Sequence, residues 1–504
     1  MLFFFDICLK QTTIAKNYGM ATLKHVLKNT FFYSFSSIIL RASSIIFFPI
    51  FSAYLTKADY GIMSITQMLV TIIVSTSCFQ LPKGITRYLY EKDAEQENYE
   101  KRLMGTAFLL AFFFNLLLSG LLIVFGQGLF GGVLNEIAFF PYMAYALAYI
   151  PFLIIYEQYK GLLMAKHVGK KVFRLDMAFF GSNIGLNLLF VVGFGMDALG
   201  VIISTLVCSS VFAVYAFVAY YRKTVLKIDK AIIKPVLKFS IPLIPFFLAG
   251  FLLSSVDSIY LNHTMGVEIS GIYYIAITFS TIFSMFKESF NFAFTPWFYE
   301  NFKKDNHAYI KKLLNIIFWG AGFFALGVSM FGYEVLSILS SNPELLEAWK
   351  YIPLATIGLL VIFIGQVYTM FVYHGKKNAK YLFVSNFVGF GVNLGLCFAF
   401  TSFFSAYWAL VARNSGFLAL SIIQIVIAMR STDFKFDTFN IVAVVLVCSS
   451  LAFVHYLPIP YVYVLLVKLG ICALFVVALY RMLLSMNLQP RAMAKDFMKK
   501  FKKQ

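Results

Sequence analysis

Apolar runs of about 20 residues, the length a helix needs to cross a bilayer, recur along this chain from one end to the other. Fourteen can be marked, near 30–52, 61–82, 104–125, 137–157, 177–196, 199–221, 239–262, 269–291, 312–333, 351–373, 382–402, 405–429, 439–456 and 462–484. Within lipid a helix satisfies all its backbone hydrogen bonds internally, so runs of this length and number dictate a bundle of spanning helices. A water-soluble fold would need polar residues to cover these runs. With 60% hydrophobic and only 13% charged residues, the chain lacks them. The expected fold is an all-α integral membrane protein.

The formal charge of +19 raises the question of nucleic acid, but the basic residues are not gathered on one soluble domain as a nucleic-acid binder would have them. Nearly all of the 42 lysines and arginines fall in the N-terminal segment, the even-numbered connections and the C-terminal tail, whereas the odd-numbered connections hold only Lys57 and Lys350. By the positive-inside rule both termini are expected on the cytoplasmic side of the cell inner membrane. Four basic residues remain inside spans: Arg41, Lys287, Arg413 and Lys468. The six cysteines are far apart and show no CxxC, so neither a disulfide nor a metal site is expected. The opening "MLFFFDICLK" lacks the long apolar region and cleavage site of a signal peptide, and Met20 opens "MATLKHVLKNTFF", so a start at Met1 or at Met20 stays open.

A repeat runs through the chain. Shifted by 210 residues, "VLKNTFF" from Val26 meets "VLKFSIP" from Val236, "ADYGIMSI" meets "EISGIYYI", and "YEKRL" meets "YIKKL". Further on the shift becomes 206, and "GKK" at Gly169 meets "GKK" at Gly375 while "GLNL" at Gly185 meets "GVNL" at Gly391. Each copy holds six spans, an even number, so the copies share one orientation and are related by an axis along the membrane normal. The expected division is a cytoplasmic segment 1–28, an N-lobe 29–221, a basic linker 222–238, a C-lobe 239–430, and two extra spans with a basic tail in 431–504. Transporters built this way place their site between the lobes.

A helix facing a wet cavity needs a polar stripe at helical spacing. The first span has Ser34, Ser37, Arg41 and Ser44; the second Ser64, Gln67, Thr71 and Ser75. The seventh has Ser254, Asp257, Ser258 and Asn262, and the eighth Tyr274, Thr278, Thr281, Ser284, Glu288 and Asn291. These four helices open the two repeats. Hydroxyls can instead bond their own helix or ease helix packing, which is the alternative at any one position. Arg41 is the most demanding residue. It lies about eleven residues, roughly 16 Å, from either helix end, too deep for easy snorkelling, and an arginine there costs about 2.5–3.5 kcal/mol. It must pair with a buried acid such as Asp257 or Glu288, bind a ligand, or do each in a different state. Lys287 and Lys468 are expected to snorkel, and the partner of Arg413 is not readable. Pro49, Pro242 and Pro245 mark the first and seventh helices as hinges.

The 6+6+2 pattern, "LTKADYGIMSI" closing the first hairpin and "VEISGIYYIA" at its counterpart resemble the polysaccharide-transporter branch of the multidrug/oligosaccharidyl-lipid/polysaccharide exporters, in particular lipid-linked O-antigen and capsule-repeat flippases. That branch often has an Asp-Arg pair late in the seventh helix, where Asp257 is here followed by Ser258. The resemblance implies an undecaprenyl-pyrophosphate-linked oligosaccharide (an O-antigen, capsule or exopolysaccharide repeat unit) turned from the inner to the outer leaflet, with membrane lipids and polysaccharide polymerase machinery as partners. Arg41 suits a pyrophosphate, to which a guanidinium donates paired charge-assisted hydrogen bonds. Ser37, Ser44, Gln67, Thr71, Tyr274, Thr281 and Glu288 complete the candidate substrate site, with Tyr273 and Trp297 as further stacking faces. Asp257, with Asn386 and Asn393, is the candidate for coupling to a Na+ or H+ gradient. No cofactor and no catalytic residue is expected. A cationic-drug antiporter of the same superfamily would want a carboxylate where Arg41 stands. A membrane polymerase or acyltransferase would want a large outer loop, but outer connections such as "MDALG" and "LPIPY" are brief.

Overall fold

The computed structural model describes residues 20–91, 96–302, 307–375, 381–400 and 403–484. Both Met1 and Cys8, most of the N-terminal segment and the basic tail lie outside them. Fourteen crossings are present among the described residues: α1 (Met20–Ile46), α2 (Lys57–Ser77), α3 (Gln96–Leu134), α4 (Ala144–Ala165), α5 (Gly169–Asn187), α6 (Asp197–Ala219), α7 (in two pieces, Ile244–Leu253 and Val256–Met265), α8 (Val267–Phe302), α9 (His307–Met330), α10 (Ile352–Gly375), α11 (Leu382–Ala399), α12 (Ala406–Ser431), α13 (Thr438–Leu451) and α14 (Tyr461–Leu484). Thirteen helices are long and apolar enough to span a membrane, and α1 adds the shorter apolar stretch Phe35–Phe51. The apolar runs thus mark the crossings correctly and understate some lengths. At 39 and 36 residues, α3 and α8 continue as polar helix past the point where hydrophobicity stops.

Local chemistry explains the ends and breaks. Thr56 and Asp59 form a reciprocal capping box that starts α2, the Thr56 side chain accepting from the Asp59 N–H and Asp59 accepting from the Thr56 N–H at 2.9 Å. α1 stops at Ile46 and is followed by one more turn, Phe48–Phe51, with Pro49 in its first positions. In α7 the prolines are not the break. Pro245 occupies the first turn, where its missing N–H is not needed, and the helix is interrupted at Ser254 and Ser255 instead. Within the expected linker, Asp229 caps an amphipathic helix, Lys230–Ser240, by accepting from the Ala231 and Ile232 N–H groups.

The pairings of the first six helices recur among the next six. α1 packs on α5 as α7 packs on α11, α3 on α4 as α9 on α10, and α4 on α6 as α10 on α12. Two large apolar clusters follow that grouping, one from Ile65 to Val236 and one from Phe283 to Phe475. α13 and α14 join the second cluster by packing on α9. The two groups meet at the far end of the bundle, where the odd-numbered connections lie, with α2 crossing α8 at Gly61 and Gly271. A Cβ on Gly61 would stand 2.1 Å from the Val267 carbonyl oxygen, and one on Gly271 would stand 1.9 Å from that of Lys57. The same end is tied by Asn262, which donates to the Val133 carbonyl at 3.0 Å, and by the Ser341 N–H, which donates to Ser52 at 3.0 Å. Asn262, read from sequence as part of a cavity stripe, is therefore a clamp between α7 and the end of α3.

Lys468 does not snorkel. It is fully buried on α14, with Nζ 2.6 Å from Glu334 Oε1 and 3.0 Å from His455 Nδ1. Glu334 belongs to the short helix Gly332–Leu339 after α9, so the partner comes from a tertiary neighbour closer than the membrane surface. Removing one member of a buried pair strands the other, at a cost of about 3–5 kcal/mol. Lys468→Met should lower the thermal unfolding temperature of the detergent-purified protein markedly, and Lys468→Met with Glu334→Gln should restore most of it. A double variant as unstable as the single would show that the pair is not coupled.

Candidate functional site

The site begins on α1, where Ser37 and Arg41 are four residues apart and share a face. Arg41 Nη2 lies 2.6 Å from Glu288 Oε1 on α8, and Ser37 Oγ donates to Glu288 Oε2 at 3.1 Å, so both carboxylate oxygens are held by α1. The Arg41 side chain remains 44% exposed, which leaves part of its donor fork open to a ligand. Lys287, expected to snorkel, stands next to Glu288 on α8. One carboxylate of α8 is therefore held by two residues of α1, between the two helix groups.

One turn beyond Arg41, Ser44 lines a cavity of about 250 Å³ bounded by α1, α2, α5, α6 and α8. Gln67, Tyr274 and Thr278 line it too, so three of the residues expected to bind substrate, Ser44, Gln67 and Tyr274, are brought together. Asn183 and Asn187 of α5 and Thr205 of α6 add to its polar lining and were missed. The two asparagines are four residues apart on one helix, and that spacing was the available signal. Two other expectations change. The Thr71 hydroxyl donates to the Gln67 carbonyl at 2.7 Å and the Thr281 hydroxyl to the Thr278 carbonyl at 2.6 Å, so each serves its own helix. The Ser34 side chain lies outside the described residues.

A second polar centre is enclosed by α7, α8, α11 and α12. Asp257 is wholly buried. Tyr273 donates to its Oδ2, Asn393 donates to Oδ1 at 3.4 Å, and Arg413 Nη1 stands 4.0 Å from Oδ2. The partner of Arg413 is thus Asp257. Asn393 also donates to the Leu253 carbonyl at 2.9 Å, satisfying an acceptor freed by the break in α7. Asn386, expected beside Asp257, donates instead to the Phe246 carbonyl at 3.4 Å. That is two helical turns or more from the acid, about 10 Å or beyond, so it is not part of the centre. Tyr273 is the acid's partner and not a sugar platform, and Trp297 is buried beside Phe294 and Tyr309.

A family model described as "Polysaccharide biosynthesis protein" matches residues 26–302, more than half of the chain and the part that holds Arg41, Gln67, Asp257 and Glu288. The chain belongs to the polysaccharide biosynthesis protein family. Among solved structures, this family member is similar to the Lipid II flippase MurJ in an inward closed conformation, at 14% identity over 90% of this chain and 99% of that one, with a TM-score of 0.67. It also resembles the Vibrio cholerae MATE transporter VcmN in its bent form (14% identity, 86% and 100% coverage, TM-score 0.53). A transporter of the MOP superfamily from Pyrococcus furiosus matches at 13% identity, 84% and 96% coverage and a TM-score of 0.50. Comparison with curated proteins gives no match. At these identities the shared property is the fold, which this polysaccharide biosynthesis family member has in common with membrane transporters across nearly its whole length.

Proposed function

We propose that this protein is a flippase and not an enzyme, and that it turns an undecaprenyl-pyrophosphate-linked oligosaccharide from the inner to the outer leaflet of the cytoplasmic membrane by alternating access. The observation that carries the reading is Arg41, a half-exposed guanidinium at mid-span, held by Glu288 of α8. In the resting pair Glu288 meets most of the cost of placing Arg41 in the membrane. A pyrophosphate entering the cavity replaces that carboxylate with an anion better matched to the fork, and the displaced Glu288 loosens α1 from α8. The basic connections support cavity entry from the cytoplasmic side, with the Gly61–Gly271 crossing towards the outside. Polysaccharide polymerase machinery would collect the product in the outer leaflet. The test is reconstitution in proteoliposomes with an undecaprenyl-pyrophosphate oligosaccharide whose sugar is read out by an impermeant lectin. Protein-dependent equilibration between leaflets is expected. No movement of this lipid together with export of a cationic drug would favour the antiporter.

The buried Asp257–Arg413 pair is the basis of a coupling proposal. Asp257 accepts a proton or Na+ in the state where Arg413 has moved off, and surrenders it when the pair re-forms. Asp257→Asn should therefore keep binding of the lipid-linked substrate while losing any dependence of flipping on a proton or sodium gradient. Gradient dependence equal to that of the unmodified protein would rule the acid out.

A further inference from the structure

α5 is lined on two sides. The residues that face the central cavity, Phe180, Asn183, Ile184 and Asn187, share one side of the helix, and at about 100° per residue Lys171, Arg174, Leu175 and Ala178 fall on the opposite side. Together with Val211, Phe212 and Tyr215 of α6, these four form a separate groove of about 440 Å³. Its reachable surface belongs to Arg174 and Ala178, both exposed, and to Val211 and Tyr215, at 58% and 43%.

Position along the helices sorts this lining by depth. α5 begins at Gly169 and α6 ends at Ala219, both at the end of the bundle that carries the even-numbered, basic connections. Lys171, Arg174 and Tyr215 lie within about 8 Å of those helix ends, near the headgroup layer, whereas Ala178 and Val211 lie about 12–14 Å in, among acyl chains. The two cations are also uncommitted. Acids on α3, α4 and α5 take other lysines: Lys160 meets Glu157 at 2.7 Å and Asp176 at 3.5 Å, and Lys166 meets Glu100 at 2.5 Å. Among the described residues Lys171 and Arg174 make no ion pair, Lys171 lying only over the Tyr159 ring at 5.4 Å, and no Asp or Glu lines the groove. Two cations with no acid in the wall attract an anion, and apolar walls that continue into the bilayer require that the anion carry a hydrocarbon chain.

We propose that this groove binds an anionic phospholipid of the leaflet nearest the basic connections, its phosphate between Lys171 and Arg174 and one acyl chain along Ala178 and Val211. A lipid seated there bridges α5 and α6 on the side away from the transport cavity, so it is resident and not cargo. Binding needs nothing of Arg41 and stands whether or not the flippase reading does. The rival is plain snorkelling, in which both side chains reach the headgroup layer at large and hold no particular lipid.

The experiment titrates the detergent-purified full-length protein with phosphatidylglycerol or phosphatidylcholine and reads bound lipid by native mass spectrometry. A cation near an anionic lipid is worth about fivefold in affinity, so two should favour phosphatidylglycerol about thirtyfold. Lys171→Gln with Arg174→Gln should bring that ratio close to one. Lys234→Gln with Lys238→Gln, on the exposed face of the linker helix Lys230–Ser240, is the control and should leave it unchanged. Ala178→Trp, which fills the deeper part of the groove and keeps both cations, should weaken phosphatidylglycerol binding about tenfold. Equal affinity for the two lipids in the unmodified protein, or an equal fall in the ratio in the control, overturns the site in favour of snorkelling. Undiminished binding by Ala178→Trp, or displacement of the lipid by equimolar glycerol 3-phosphate, overturns the lipid as its occupant.

Discussion

Arg41→Ala is expected to abolish glycan export at normal protein levels, and Arg41→Lys to recover only a small part of it. A guanidinium gives a pyrophosphate two parallel charge-assisted hydrogen bonds, each worth about 1.5–3 kcal/mol, so their loss corresponds to at least about a hundredfold. Lysine restores the charge without the planar fork. The partner variant separates substrate binding from structure. Glu288→Gln removes the anion that competes for Arg41, so the lipid-linked substrate should bind more tightly while turnover falls, because nothing then displaces the pyrophosphate on release. Complementation of a glycan-export defect, read beside membrane protein level and substrate affinity, checks all three. Normal export by Arg41→Ala would remove the anion site.

Gly271→Leu is expected to stop transport by a different route. Even a Cβ at this position would sit 1.9 Å from the Lys57 carbonyl oxygen, and that atom is backbone, which cannot swing aside as a side chain does. The α2–α8 crossing would have to part, which shifts the population away from the state closed at the far end. In a variant lacking native cysteines, Gln67→Cys should then gain reactivity towards an impermeant thiol reagent added on the side of the odd-numbered connections. Gly320→Leu on α9, where a Cβ would meet nothing within 4 Å, is the control and should leave that reactivity unchanged. Unchanged labelling in Gly271→Leu would show that the far-end closure does not depend on this crossing.

Hydropathy alone located the crossings, because crossing a bilayer requires a long apolar run whatever the tertiary structure. It also singled out Arg41, which lies near the middle of the apolar run 30–52. What it left open was pairing. Glu288 and Asp257 stood as equal candidates for Arg41, and only the tertiary arrangement gives the first to Arg41 and the second to Arg413. Lys468 misled because nearness to a helix end suggests snorkelling unless a buried acid lies closer, and Glu334 is 134 positions away in the chain. Asn183 and Asn187 were overlooked because span five shows only these two amides at helical spacing among apolar residues and glycines, too short a stripe to mark a cavity face. Thr71 and Thr281 show the opposite error: their spacing was right for a cavity stripe, but a threonine hydroxyl in a helix can be satisfied locally.

The α2–α8 crossing has a consequence for how this chain came to be asymmetric. Gly61 touches residue 267 and Gly271 touches residue 57, and both pairs are equivalent under the 210-residue shift. That reciprocity is the mark of an isologous interface, in which one patch meets its own copy as in a homodimer. In a dimer of identical subunits a central arginine would appear twice and face its twin. Joined in one chain, the copies are free to differ: the shift takes Arg41 to Phe251, Glu288 to Cys78 and Asp257 to Phe47. The crossing keeps the old symmetry because two backbones must still pass each other there. The charges abandon it, each being present in only one copy, so Arg41 meets a carboxylate of the other copy and not its own twin.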